Sequence, residues 1–138
     1  GHPMIVKALV QDGRFDVNHE NGNPICLAAR YGRLDTLRIL VGYGADIHAQ
    51  DDYPLKMAAW YGHFAVVSFL LQKGANVHAG RDHSLAMASC NGHIDIVRLL
   101  LKHGADAHAD RSFALRLAVS TFHFDIAKIL LEAGADAH

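Results

Sequence analysis

Apolar and polar residues alternate along this chain in a pattern that is itself repeated. Between Pro54 and Gly74 the apolar positions are Leu55, Ala58 and Ala59, then Phe64, Val67, Leu70 and Leu71. Spacings of three and four place each set on one side of an α-helix. Pro54 suits a first helical turn, where its missing N–H removes no internal bond. Gly62 and Gly74 can take the positive φ that ends a helix. The pattern predicts two short helices, the second burying Phe64, Val67, Leu70 and Leu71. Matching stripes are Leu34, Leu37, Leu40 and Val41, then Ile94, Val97, Leu100 and Leu101, then Phe124, Ala127, Leu130 and Leu131.

The recurrence keeps a strict beat. GADIH from Gly44 returns as GANVH from Gly74, GADAH from Gly104 and GADAH from Gly134, 30 residues apart each time. PICLAARYGRLD from Pro24 returns as PLKMAAWYGHFA from Pro54, SLAMASCNGHID from Ser84 and ALRLAVSTFHFD from Ala114. Four copies at constant spacing mark a repeat array. Helices of about 8–10 residues are unstable alone in water, so each must bury its stripe against the neighbouring unit. The expectation is an all-α solenoid of stacked helix–turn–helix units with one continuous core.

These residues resemble ankyrin repeats. The family pattern TPLHxAA..GH..VV..LL..GADVN is met by Pro54-Leu55, Ala58-Ala59, Gly62-His63, Val66-Val67, Leu70-Leu71 and Gly74-Ala75-Asn76-Val77. The resemblance covers nearly the whole chain and implies one ankyrin-repeat domain over 1–138. It divides into a leading half-repeat (3–18) and repeats at approximately 19–48, 49–78, 79–108 and 109–138. Met4 to Val10 reads as the second helix of the half-repeat, closed by Gly13 and Asp16-Val17-Asn18. Arg14-Phe15 adds one residue there, where later copies have a single alanine. The 30-residue variant is similar to arrays in giant DNA viruses of amoebae.

Three departures from the family pattern matter. The usual period is about 33, and the missing residues fall between the GAD and PL boxes, where the family has a hairpin finger. Short finger turns are expected instead. The family's histidine after PL is replaced by Cys26, Lys56, Ala86 and Arg116, which puts its link between repeats in doubt. Phe122 stands where Gly32, Gly62 and Gly92 stand, and phenylalanine is costly at positive φ. That last turn is expected to be reshaped or strained.

Composition narrows the function. With 51% hydrophobic and 20% charged residues and a formal net charge of −1, the 138-residue chain has a globular composition. No overall field draws it to nucleic acid or to an anionic membrane. No apolar run reaches the roughly 18–20 residues of a membrane span, and GHPMIV lacks the features of a signal peptide. Gly1-His2 reads as the remnant of an expression tag. Cys26 and Cys90 form no CxxC pair, which favours reduced thiols and a cytoplasmic setting, the host's cytoplasm if the array is viral.

Within the fixed frame, some positions vary. Leu27, Met57, Met87 and Leu117 are apolar in every copy and are expected in the core. Arg30, Trp60, Cys90 and Ser120 are a mixture no core would accept. At roughly 100° per residue, Trp60 lies about 140° round from Leu55, away from the core. In ankyrin folds this position and the next line the concave surface of the inner helix. Asn23, Tyr53, His83 and Phe113 join them, as do the fingers Gln50-Asp51-Asp52, Arg81-Asp82 and Asp110-Arg111. Tyr31, Tyr53, Trp60, Tyr61, Arg81, Arg111 and Phe113 are therefore the candidate partner contacts, rich in types that dominate binding hot spots. The competing assignment packs the aromatics over neighbouring inner helices, and it weighs more for Tyr61 than for Trp60.

Other chemistries find less support. Of the 11 histidines, seven fall on the beat: His48, His78, His108, His138, His63, His93 and His123. Equivalent residues in adjacent repeats stand about 8–10 Å apart. Zinc needs ligand atoms about 2 Å from the ion, so the ladder cannot share one metal. Hydrogen bonds to turns and helix ends are the expected role. There is no P-loop, GxGxxG, HExxH or GxSxG, and Cys90 with His93 lacks an orienting group. Arg81 and Arg111 recur beside Asp82 and Asp110, which neutralise a nucleic-acid stripe. The expected function is a non-enzymatic module, without cofactor, that binds another protein through its concave face. A structural spacer or substrate-recruiting arm of a larger protein, viral and host-interacting in one version, stands as the alternative. Self-association through uncapped ends is a further expectation.

Overall fold

The computed structural model describes Met4, Lys7 and residues 16–135. Met4 and Lys7 are helical. The rest of Met4 to Val10, Gly13, Arg14-Phe15, Gly1-His2 and the final Asp136-Ala137-His138 lie outside the described residues.

Helices then follow in pairs: α1 (His19–Arg30) with α2 (Leu34–Gly42), α3 (Ala49–Tyr61) with α4 (Phe64–Gln72), α5 (Ala79–Cys90) with α6 (Ile94–Lys102), and α7 (Ala109–Ser120) with α8 (Phe124–Glu132). The odd-numbered helices pack closely on one another along the array, whereas the even-numbered ones touch only lightly. The closer row carries small residues where backbones approach: Ala28-Ala29, Ala58-Ala59, Ala88-Ser89 and Ala118 are all buried. A row packed more tightly than its partner bends the array towards itself, so the free side of the odd-numbered helices is the concave one. One continuous core runs between the rows from Ile25 to Leu130.

The buried stripe of the outer helices begins later than the apolar pattern predicts. Val66, Val67, Leu70 and Leu71 are buried, with Ile96, Val97 and Leu100 and then Ile126, Ala127 and Leu130 as counterparts. Phe64 and Phe124 are exposed instead. Six residues of helix turn Phe64 about 120° away from Leu70, which takes it off the buried face.

Each joint is shortened as expected, by a specific route. No strand occurs among the described residues. The first residues of each inner helix instead form a turn of opposite hand: Glu20-Asn21-Gly22, Gln50-Asp51-Asp52, Gly80-Arg81-Asp82 and Asp110-Arg111-Ser112 all have φ between 50° and 83°. One backbone bond closes each turn, from Gly22 N to Asn18 O, Asp52 N to His48 O, Asp82 N to His78 O and Ser112 N to His108 O, at 3.1–3.2 Å. Left-handed backbone is unfavourable for most residues and best tolerated by glycine, asparagine and aspartate. Those types fill about half of these positions.

Side chains in the joints supply what holds them. Asp52 and Asp82, expected on the exposed fingers, are buried at 4% and 6% exposure. Asp52 Oδ1 accepts the backbone N–H of Asn76 in the next repeat (2.9 Å) and the Nδ1–H of His48 (2.9 Å). Asp82 repeats the arrangement with Asp106 N–H (3.1 Å) and His78 Nδ1–H (3.0 Å). In the first joint Gly22 has no side chain to offer, and Asn18 takes over. Its Oδ1 accepts Asp46 N–H (2.8 Å), and its Nδ2 donates to Gly44 O (3.2 Å). In the last, His108 Nδ1 lies 3.1 Å from Ser112 Oγ. His48 and His78 of the GADxH boxes therefore brace the aspartates that connect one repeat to the next.

A second ladder runs at the other end of the inner helices. His63 Nε2 donates to Arg30 O (2.8 Å) and His93 Nε2 to Trp60 O (3.0 Å), each 33 residues back. The imidazoles lie where a Cβ on Gly32 or Gly62 would stand, within 2.5–3.0 Å. The link that the family's missing histidine left in doubt is thus made by other residues.

Candidate partner-binding face

Which inner-helix residues reach the concave side follows from helical spacing. Tyr53, Met57, Trp60 and Tyr61 are separated by four, three and one residues, so they share one face. Leu27, Arg30 and Tyr31 occupy the same positions one repeat earlier. Leu27 is 43% exposed, and Met57 and Leu117 are half-buried; only Met87 of that set is buried. The core assignment of this position is therefore corrected: in three of the four repeats the apolar residue three or four before the helix end is only partly buried and borders the concave surface.

Tyr31, Tyr53, Trp60 and Tyr61 are all exposed, at 58%, 37%, 40% and 44%. Two of them flank one cation, and a third adjoins one of those two rings. The Arg30 guanidinium stands 5.6 Å from the centroid of Tyr31 and 5.4 Å from that of Tyr61. Trp60 and Tyr61 have centroids 6.5 Å apart and planes tilted by 51°. Tyr61 also stacks on His63 at 6.5 Å, so it covers the joint as well as facing outward. Distances under about 6 Å from cation to ring are attractive.

The remaining candidates sit apart from this cluster. Arg81 and Arg111 are exposed on the left-handed turns, with Arg81 Nη1 3.6 Å from Asp110 Oδ1. Phe113 is half-buried against the core edge, and the Arg116 guanidinium covers its ring at 5.4 Å. Asp82 points into the joint, so it leaves the charge of Arg81 to Asp110 alone. Sequence reasoning passed over Arg30, Leu27 and Met57 as site residues. The signal for them was present in the spacing of four between Tyr53 and Met57.

Elsewhere the chemistry is quiet. Burial pushes the Cys26 thiol up to about 11, which keeps it protonated and poorly nucleophilic. His83 is held below its ordinary value, first by burial and then by the charge of Lys56. Among the described residues, no three His, Cys, Asp or Glu side chains converge as a metal site would require. No described helix is long and apolar enough to cross a membrane.

The family model for ankyrin repeats (3 copies) matches residues 1–81 and again 55–138. This chain belongs to the ankyrin-repeat family. No curated protein matches it. Ankyrin repeats are generally protein–protein interaction modules, and the aromatic cluster lies on the concave side of this ankyrin array.

Proposed function

We propose that this ankyrin array is a non-catalytic recognition module that holds a partner protein on its concave face, with Trp60 as the central anchor. The observation that carries the reading is the cluster itself. Four large aromatics on two adjacent inner helices stay exposed, although the same helices bury the residues of their opposite side. Aromatic and arginine side chains give much contact area for little loss of rotamer freedom, which is why they dominate binding hot spots. Arg81, Arg111 and Phe113 extend the same surface towards the turns and the last repeat.

The test compares capture of cellular proteins by the wild-type chain, Trp60→Ala and Phe124→Ala, each checked for helicity by circular dichroism. Phe124 is exposed on the outer row, so its loss is a control for apolar stickiness. A partner held by wild type and by Phe124→Ala but released by Trp60→Ala fits the proposal. A folded Trp60→Ala chain that keeps the partner at unchanged affinity would sink it.

A further inference from the structure

Among the cations of the inner row, Lys56, Arg81 and Arg116 have polar partners; Arg30 and Arg111 have none among the described residues, and of these two only Arg30 is flanked by aromatic rings. Lys56 Nζ is paired with Asp51 Oδ2 at 2.8 Å, and Arg81 faces Asp110. Arg116 Nη2 donates to Asp110 O at 3.3 Å and lies over Phe113. Arg30 is exposed, flanked by the rings of Tyr31 and Tyr61, and no carboxylate or carbonyl among the described residues takes its N–H groups. Ring contacts fix the plane of a guanidinium but leave its edge free. The edge is the part that forms two parallel hydrogen bonds to a carboxylate. Much of the rotamer entropy such a contact costs has already been lost in the free protein.

The surroundings of Arg30 are apolar. Leu27 lies one turn back on the same helix, and Met57 and Trp60 occupy equivalent places on the next. A cation set beside an apolar strip complements an acidic residue that has an apolar neighbour. It does not complement a polyanion, which would also meet Glu20, Asp51 and Asp110 on this row of turns, in a chain whose net charge is −1.

We propose that Arg30 is a preorganised receptor for a carboxylate: the partner presents an Asp or Glu side chain to its guanidinium and an adjacent apolar side chain to Leu27, Met57 and Trp60. This rests on the concave-face reading and specifies the partner's chemistry. Arg30 holds the acid, its neighbours exclude water from the contact, and Tyr31 and Tyr61 keep the guanidinium in place.

The test is selection of a displayed random-peptide library on the full chain, keeping peptides that Trp60→Ala fails to retain. An Asp or Glu recurring at one position beside an apolar residue is expected. Arg30→Gln then weakens these peptides about tenfold or more, and Arg30→Lys does nearly as much because an ammonium offers no fork. Replacing the peptide acid by its amide weakens binding to wild type by a similar factor. It weakens binding to Arg30→Gln by less than about twofold, because the two changes remove one contact. Trp60-dependent peptides with no acidic position, or losses that simply multiply, overturn this inference and leave the concave-face reading standing. So does Arg30-dependent binding of oligothymidylate tighter than that of any selected peptide. A library that yields no Trp60-dependent binder removes both.

Discussion

Three of the four turns that end the inner helices carry glycine, and the fourth carries phenylalanine, on nearly the same backbone. Gly32, Gly62 and Gly92 have φ of 68°, 81° and 76°; Phe122 has 64°. The bond that closes the turn is also kept, from His63 N to Ala58 O at 2.9 Å and from His123 N to Ala118 O at 2.8 Å. The turn at Phe122 is therefore strained rather than reshaped. What differs is the space beside it. The three glycines each face a histidine ring from the following repeat, His63, His93 and His123, at distances no Cβ could share. Phe122 is 77% exposed and packs edge-on to Phe124, with centroids 6.1 Å apart. Glycine at this turn thus meets two demands, a backbone angle and an approach, and only the angle operates at Phe122.

The largest effect is expected where both demands apply. Gly62→Ala places a methyl at left-handed φ and within 2.6–3.0 Å of His93. Strain together with the displaced bond from His93 to Trp60 O costs about 3 kcal/mol. Urea melts followed by circular dichroism measure it. A loss no greater than that of an ordinary surface substitution would show that His93 moves aside freely and that the angle alone requires glycine.

Next is the joint ladder, in which aspartate at two joints gives way to serine at the following one. Asp82→Ala leaves Asp106 N–H and His78 Nδ1 without their common acceptor and costs about 2 kcal/mol. Ser112→Ala, at the same place in the last repeat, removes a neutral hydroxyl and costs about 1 kcal/mol. Equal losses in the same melts would contradict the idea that a carboxylate braces a joint more firmly than a hydroxyl does.

Phe122→Gly runs in the opposite direction. It relieves the left-handed strain, while the ring gives up little burial because most of it is in water. A gain of about 1 kcal/mol is expected. If the melt shows a loss instead, the ring contact with Phe124 outweighs the strain, and the last turn is held by packing.

The frame of the molecule was legible because it rests on repetition. Helix pairs, glycine turns and the cost at Phe122 all follow from residue type at fixed spacing. The exposure of Trp60 followed in the same way, from variation within the frame. The joints were less readable. Asp52 and Asp82 are charged residues in a turn, which ordinarily means exposure, and nothing local reveals that a backbone N–H from the next repeat needs an acceptor there. The pairing of His48 with Asp52 and of His78 with Asp82, against Asn18 with Gly22, is a covariation that gains meaning only once the neighbouring repeat is in place. The place of Arg30 on the concave side was legible, but its setting was not, since Tyr61, its second ring neighbour, comes from the next repeat.

The smallest expected effect concerns pH and separates the third joint from the others. His83 follows the turn Gly80-Arg81-Asp82, with Lys56 of the preceding repeat reaching towards that turn from its pair with Asp51. Burial first, and the Lys56 charge second, lower its pKa below the ordinary 6.5. As pH falls through 6.5, the unfolded chain therefore takes up a proton at His83 before the folded chain does, and stability decreases. Stability is regained as pH rises above that value, where both states are neutral. His83→Asn removes this component, so its stability relative to wild type improves between pH 7.5 and pH 5.5 in paired urea melts. Lys56→Gln acts in the same direction by less, since it removes the second cause and leaves burial. The other joints have no histidine at this place, where Asn23, Tyr53 and Phe113 stand instead. An unchanged or widening deficit for His83→Asn at low pH would mean that its imidazole gains a proton-stabilising partner in the folded state, and the acid sensitivity of the array would then have to be sought elsewhere.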